Sequence, residues 1–251
     1  MTHDLRHYSN RSITAKCLVI CGLMIICSFS ARAQKENNAN ALTWYQYKGD
    51  VDLGNRFSAV LDFQHRRQDF VNYSSQQVLR PGIAYTLKSN VKFTLGTAIF
   101  WHNINQENPV YRPEVRPYTF VEWKQPLGKI QVTHRFRFEL RYNRKTSGAE
   151  VLDGYNFNYR AGHKLGLSIP LQSQKVKDLR LEVYDEVLIN FGERIRFNYL
   201  DQNRIYTGIK GRLTARSTFK LGYMYIFVPS GSSVDFVTQH ILVLGIGHKW
   251  Q

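Results

Sequence analysis

The sequence predicts an all-β protein, an antiparallel transmembrane β-barrel of about twelve strands (ten as the alternative) that follows a cleaved signal peptide. Three observations predict it. Ile130–Tyr142 splits by alternate residues into an apolar set (Ile130, Val132, His134, Phe136, Phe138, Leu140, Tyr142) and a polar one (Gln131, Thr133, Arg135, Arg137, Glu139, Arg141). Successive side chains on a strand point to opposite sides, so one wall is apolar and the other densely charged. The same alternation recurs along nearly the whole chain, and the N-terminus reads as an export signal. Lipid outside and polar residues inside satisfy all three.

Residues 1–33 are expected to be the signal. Arg6, Arg11 and Lys16 make its basic start, and Cys17 to Phe29 is an apolar and small-residue run too short to cross a bilayer as a helix. Ala31 and Ala33 supply the small residues before a cleavage that leaves Gln34 as the mature N-terminus. Cys17, Cys21 and Cys27 all fall in this segment, so the mature chain has no thiol, disulfide or cysteine metal site. Ile20 and Ile26 precede Cys21 and Cys27, where a lipoprotein signal needs a small residue. The signal carries four basic residues (Arg6, Arg11, Lys16, Arg32) and Asp4, so the net charge of +15 falls by three to +12. Residues 34–41 are expected as a short periplasmic lead-in and 42–251 as one barrel.

The alternation places strands near 42–51, 56–67, 77–87, 91–102, 114–123, 130–142, 155–169, 179–189, 201–213, 218–227 and 236–250. Single-chain bacterial barrels have an even strand number, so either one strand is missed or Leu42–Val51 is not a stave. Connections near 51–55, 88–90, 124–129 and 214–217 are short. Those near 68–75, 103–112, 143–153, 190–199 and 228–235 are longer, with 170–178 intermediate. Short turns on one side and longer loops on the other are the outer-membrane pattern. Pro81 has no donor for a ladder, so an irregularity is expected there. Trp44, Tyr45, Trp101, Trp123, Tyr142, Tyr155, Phe227 and Trp250 sit near strand ends, as interfacial girdles do. Trp250 also reads as part of the signal for barrel-assembly machinery, although Gln251 follows it.

Strand parity sends a large set of charges inward: Glu114, Arg116, Glu122, Arg135, Arg137, Glu139, Arg141, Arg160, Lys164, Arg180, Glu182, Glu186, Arg204, Lys210 and Arg212. Such charges must be paired or solvated. Two readings follow. One is a plug of interlocked Arg and Glu in a narrow barrel; the other is a water-filled basic lumen that favours a small anionic solute. In Asp201-Gln202-Asn203-Arg204, parity turns Gln202 and Arg204 inward and leaves Asp201 and Asn203 outward, which suggests a polar rim with Asp201, Gln202 and Asn203 in it.

His134, His163, His240 and His248 share the apolar-face parity, but no serine of matching parity stands in obvious reach of them. Thr119, Thr133 and Thr238 form no recognisable pattern, and no HExxH, P-loop, GxSxG or GxGxxG motif occurs. The expectation is therefore no enzyme, no cofactor and no metal, with a lipid-modifying hydrolase using an interfacial histidine as the alternative. Nucleic acid is not an expected partner, since no exposed basic helix is present. Outer-membrane lipid and lipopolysaccharide phosphates are the expected acidic neighbours, facing Arg112, Arg144, Lys145, Arg194 and Arg196.

Several segments, in this order, carry a family resemblance: QVLRPG at Gln77–Gly82, Gly96–Trp101, HRFRFELRY at His134–Tyr142, YDEVLIN at Tyr184–Asn190, DQNR at Asp201–Arg204, Tyr206-Thr207-Gly208 and Leu221-Gly222-Tyr223. Together they resemble DUF2490, a family of unknown function, over residues 42–250. The resemblance implies an outer-membrane barrel and supplies no catalytic residue. The expected role is a small passive channel or an envelope-maintenance barrel.

Overall fold

A computed structural model describes residues 37–69, 71–87, 90–195, 199–229 and 236–250. The expected signal and its cleavage after Ala33 lie outside the described residues, as do Arg196 and Gln251. The described chain folds into β1 (Asn37–Gly54), β2 (Phe57–Gln68), β3 (Tyr73–Thr86), β4 (Val91–Asn105), β5 (Val110–Leu127) and β6 (Ile130–Ser147). It continues with β7 (Glu150–Pro170), β8 (Arg180–Phe191), β9 (Leu200–Arg212), β10 (Ser217–Pro229) and β11 (Phe236–Trp250).

Each strand pairs antiparallel with the next, and β1 closes the ring against β11. The ring has eleven strands, neither the twelve nor the ten expected. Parity then dictates the seam. An odd number of alternating strands leaves the first and last pointing the same way, so β1 and β11 pair in parallel, from Asn37↔Phe236 to Val51↔Trp250. Leu42–Val51 is therefore a stave, and β1 begins at Asn37, inside the expected lead-in. The two ends of the barrel are named below by the residues they carry, the Asn37 rim and the Trp250 rim.

At the Asn37 rim the strands run further than the alternation indicated. Ser147 pairs with Glu150 across a turn at Gly148, whose φ of 54° suits glycine, so the expected loop at 143–153 is mostly a paired hairpin. Likewise β4 and β5 take up most of the expected loop at 103–112. Backbone pairing continues there after the apolar face has ended, and a period-two signal cannot report strands that are polar on both faces.

The barrel is built inside-out. Phe57, Leu61, Phe63, Ile83, Phe93, Leu95, Phe136, Ile205, Leu221 and Ile246 are exposed on its outer wall. Glu114, Arg160, Glu139 and Glu186 are buried within. Closure pairs every strand edge, so the ring leaves no open ladder. Two apolar clusters complete the interior. Leu42, Trp44, Tyr206, Met224, Ile226, Ile241 and Val243 line the seam side. Val78, Ala98, Phe100 and Tyr118 line the opposite side.

Two tyrosines lie flat against the wall because glycine opens room for them. A Cβ at Gly208 or Gly222, which pair in register, would collide with the Tyr206 hydroxyl. On the other side the β3–β4 ladder passes from Leu79↔Ile99 to Gly82↔Gly96, omitting Pro81 as its missing N–H requires. The Tyr118 hydroxyl donates to the Pro81 carbonyl at 3.0 Å there.

Candidate functional site in the barrel interior

Towards the Asn37 rim, β5, β6, β7 and β9 contribute a layer of three arginines and three carboxylates. Glu114 accepts from Arg116 Nε at 2.5 Å and Nη2 at 2.6 Å, and from Arg141 Nε at 2.8 Å. His102 Nε2 lies 2.8 Å from the same carboxylate. Arg141 Nη1 reaches Asp201 Oδ1 at 3.2 Å, and Arg160 Nη1 donates to Asp201 Oδ2 at 2.9 Å. Arg160 Nε donates to Glu139 Oε2 at 2.5 Å. Asn190 closes the remaining valence, donating to Asp201 Oδ1 at 2.6 Å. Charge is balanced here, and each acid is held by at least two cations, since Arg137 also stands 3.8 Å from Glu139.

Asp201 was expected outward. It turns inward because the β8–β9 register shifts from Leu188↔Gln202 to Ile189↔Leu200, which leaves Asp201 as the extra residue of a bulge. A bulge breaks strict alternation and re-aims one side chain. Gln202 is also inside, accepting from Arg204 Nε at 2.9 Å, while Asn203 faces out and donates to Asp185 at 2.7 Å.

Below this layer, towards the Trp250 rim, the balance changes. Glu186 accepts from Arg135 at 2.8 Å and stands 3.1 Å from Arg137 and 3.4 Å from Arg204. Asp62 accepts from Arg80 at 2.9 Å and from the amides of Gln46 and Gln64 at 3.1 and 3.0 Å. Two acids thus hold four arginines. Among the described residues Arg66 bonds only to the amide oxygens of Gln64 and Gln76, and it lies 3.6 Å over the Trp44 ring. Lys164 sits in register with Arg135 on one side and Glu186 on the other, yet those two are bonded to each other. Among the described residues neither Lys164 nor Lys48 has a carboxylate within 4.0 Å. Lys220 reaches Glu182 at 3.5 Å and lies 4.0 Å over the Tyr206 ring. These side chains enclose a cavity of about 80 Å³.

Of the remaining residues that parity placed inside, Glu122 pairs with Lys124 at 3.2 Å. Arg180 donates to Ser168 Oγ at 2.6 Å. Arg212, at the end of β9, instead pairs with Asp178 in the exposed connection between β7 and β8. Lys48, Arg80 and His102 were passed over in the sequence, although period-two counting from their neighbours places each inside. Trp250 closes the seam at its rim, opposite Val51 and with its ring centroid 6.3 Å from that of Tyr47.

On the outer wall the histidines find partners. His134 Nδ1 lies 3.3 Å from His163 Nε2, and the Tyr223 hydroxyl is 2.6 Å from His240 Nδ1. Contrary to expectation, a serine is in reach: Ser217 pairs with His248 in register, and its Oγ lies 3.0 Å from Nδ1. The two are far apart in sequence, and only the β10–β11 register brings them together. Among the described residues no group of three or more His, Cys, Asp or Glu could hold a metal ion.

With this geometry in hand, the relatives can be placed. Residues 41–237 match the family described as protein of unknown function (DUF2490). The chain belongs to this family. Two solved structures resemble the DUF2490 barrel at low identity. LpxR from Salmonella typhimurium is 10% identical, with 75% of this chain and 83% of that chain covered and a TM-score of 0.43. The β-domain of the Bordetella autotransporter BrkA is 10% identical, with 72% of this chain and 78% of that chain covered and a TM-score of 0.40. No curated protein matches the sequence.

Proposed function

We propose that this DUF2490 member is an outer-membrane barrel that is closed at rest, serving envelope maintenance and not passive diffusion. An apolar outer wall around a charged interior supports the membrane setting, because such an exposed wall needs lipid against it. The closure is carried by one observation. The Arg116–Glu114–Arg141–Asp201–Arg160–Glu139 chain crosses the lumen from β5 to β9 with its charges matched. Arg66, Gln76 and His102 extend it to β2, and the apolar cluster fills the seam side. Opening a conduit would separate several buried charge pairs at once, each a costly step. Bilayer recordings of the refolded protein should show no steady conductance steps. Arg160→Ala combined with Glu139→Ala should create them. Steady steps from the wild type would overturn the closed reading.

A second reading, hydrolysis of an envelope lipid ester, is favoured by the Ser217–His248 contact on the outer wall. A serine beside a histidine base is the minimal nucleophile pair. Replacing Ser217, His134, His163, His240 and His248 one at a time by alanine tests it. Loss of an esterase activity confined to Ser217 and His248 would replace the closed-barrel role by an enzymatic one.

A further inference from the structure

The interior below the charge-matched layer has more cations than its acids can hold. Arg80, Arg135, Arg137 and Arg204 share Asp62 and Glu186. Lys48, Lys164 and Arg66 line the same cavity with no carboxylate bonded to them among the described residues. Among the described residues Lys220 has one carboxylate contact, Glu182 at 3.5 Å. Cations that converge in a low-dielectric space repel one another unless an anion or water lies between them. The buried Nε atoms of Arg80, Arg135 and Arg137 also lack a hydrogen-bond partner among the described residues.

The space between these groups has a definite size. At about 80 Å³ it holds several waters or a five-atom tetrahedral oxyanion. Guanidinium forks and ammonium groups together suit an anion with several oxygens, which can accept from both kinds of donor at once. Lys48 remains exposed and gives the cavity a hydrated approach.

We propose that this chamber is an oxyanion site for phosphate or a phosphate monoester, held chiefly by Lys48, Lys164 and Arg66. The site rests on the closed-barrel reading, because only a closed interior keeps Lys164 and Arg66 largely desolvated. Ligand binding then neutralises repulsion within the chamber and stabilises the fold by mass action.

The test is thermal unfolding of the refolded, detergent-solubilised protein with millimolar inorganic phosphate against chloride at equal ionic strength. Isothermal titration calorimetry on the same sample gives the affinity. The expected result is a saturable rise in Tm, lost in Lys164→Gln and weakened at least tenfold in affinity in Lys48→Gln. Because Lys48 is exposed, its variant keeps the proposal testable if Lys164→Gln fails to fold. A rise that persists unchanged in both variants is general salting by phosphate and overturns the site. Adding lipopolysaccharide micelles distinguishes the two sources of phosphate. Displacement of bound inorganic phosphate assigns the site to a lipid headgroup, and no displacement assigns it to a free anion; either result supports the oxyanion chemistry. Conductance separates this proposal from the previous one. A silent barrel without a phosphate effect overturns the site alone, whereas steady wild-type steps overturn closure whatever phosphate does.

Discussion

The two halves of the interior are built from nearly the same residue types and differ in stoichiometry. Near the Asn37 rim, Arg116, Arg141 and Arg160 face Glu114, Glu139 and Asp201, with short contacts and amides filling the gaps. Nearer the Trp250 rim, arginines crowd onto Glu186 and Asp62, while Lys48 and Lys164 have no acid within 4.0 Å among the described residues. A matched layer resists change because breaking any pair strands a buried charge. An unmatched one stores repulsion, which a ligand or a substitution can relieve. The first half therefore acts as a lock and the second as a receptor for charge.

The largest effect should come from the lock. Glu114→Ala leaves Arg116 and Arg141 facing an empty position and should cost about 3–5 kcal/mol in denaturant unfolding. Glu186→Gln in the chamber should also destabilise, but with one difference: raising salt should recover part of the loss. Added ions can enter the chamber past exposed Lys48 and screen its arginines, whereas the Glu114 carboxylate has no exposed surface for them to reach. Equal salt responses of the two variants would erase the distinction. Gly222→Ala should cost about 1–3 kcal/mol by driving Tyr206 off the wall, and it should do so independently of salt. The smallest effect should have the opposite sign. Lys48→Gln should leave stability unchanged or raise it by under about 1 kcal/mol in phosphate-free buffer, since it removes repulsion and breaks no pair. A marked loss of stability would mean that Lys48 is already paired, and the asymmetry between the halves would fall.

Much of this was legible in the sequence, for a physical reason. Strands report their two faces at period two, so Arg135, Arg137, Glu139, Arg141, Arg160, Glu182, Glu186 and Arg204 could be placed inside from neighbours alone. What alternation cannot show is register. Asp201 turns inward only because a bulge opposite Leu188 and Ile189 adds one residue, and nothing in DQNR signals it. The Ser217–His248 contact depends on the register of β10 against β11, which joins residues 31 apart in sequence. The strand number went wrong in a different way. Eleven segments were visible in the pattern, and an even-number rule overrode them, although a parallel seam satisfies every ladder just as well.

The parallel seam sets the first and last described strand ends at opposite rims. A barrel with an even number of strands starts and finishes on the same side, like a stitch that returns. This one makes a net single crossing, because Asn37 and Trp250 lie at opposite rims. Set in a membrane, as proposed above, it would share the topology of a one-pass anchor while having the wall of a barrel. An epitope placed directly before Asn37 and another placed directly after Trp250 should therefore never be reached by antibody from the same face of an intact membrane.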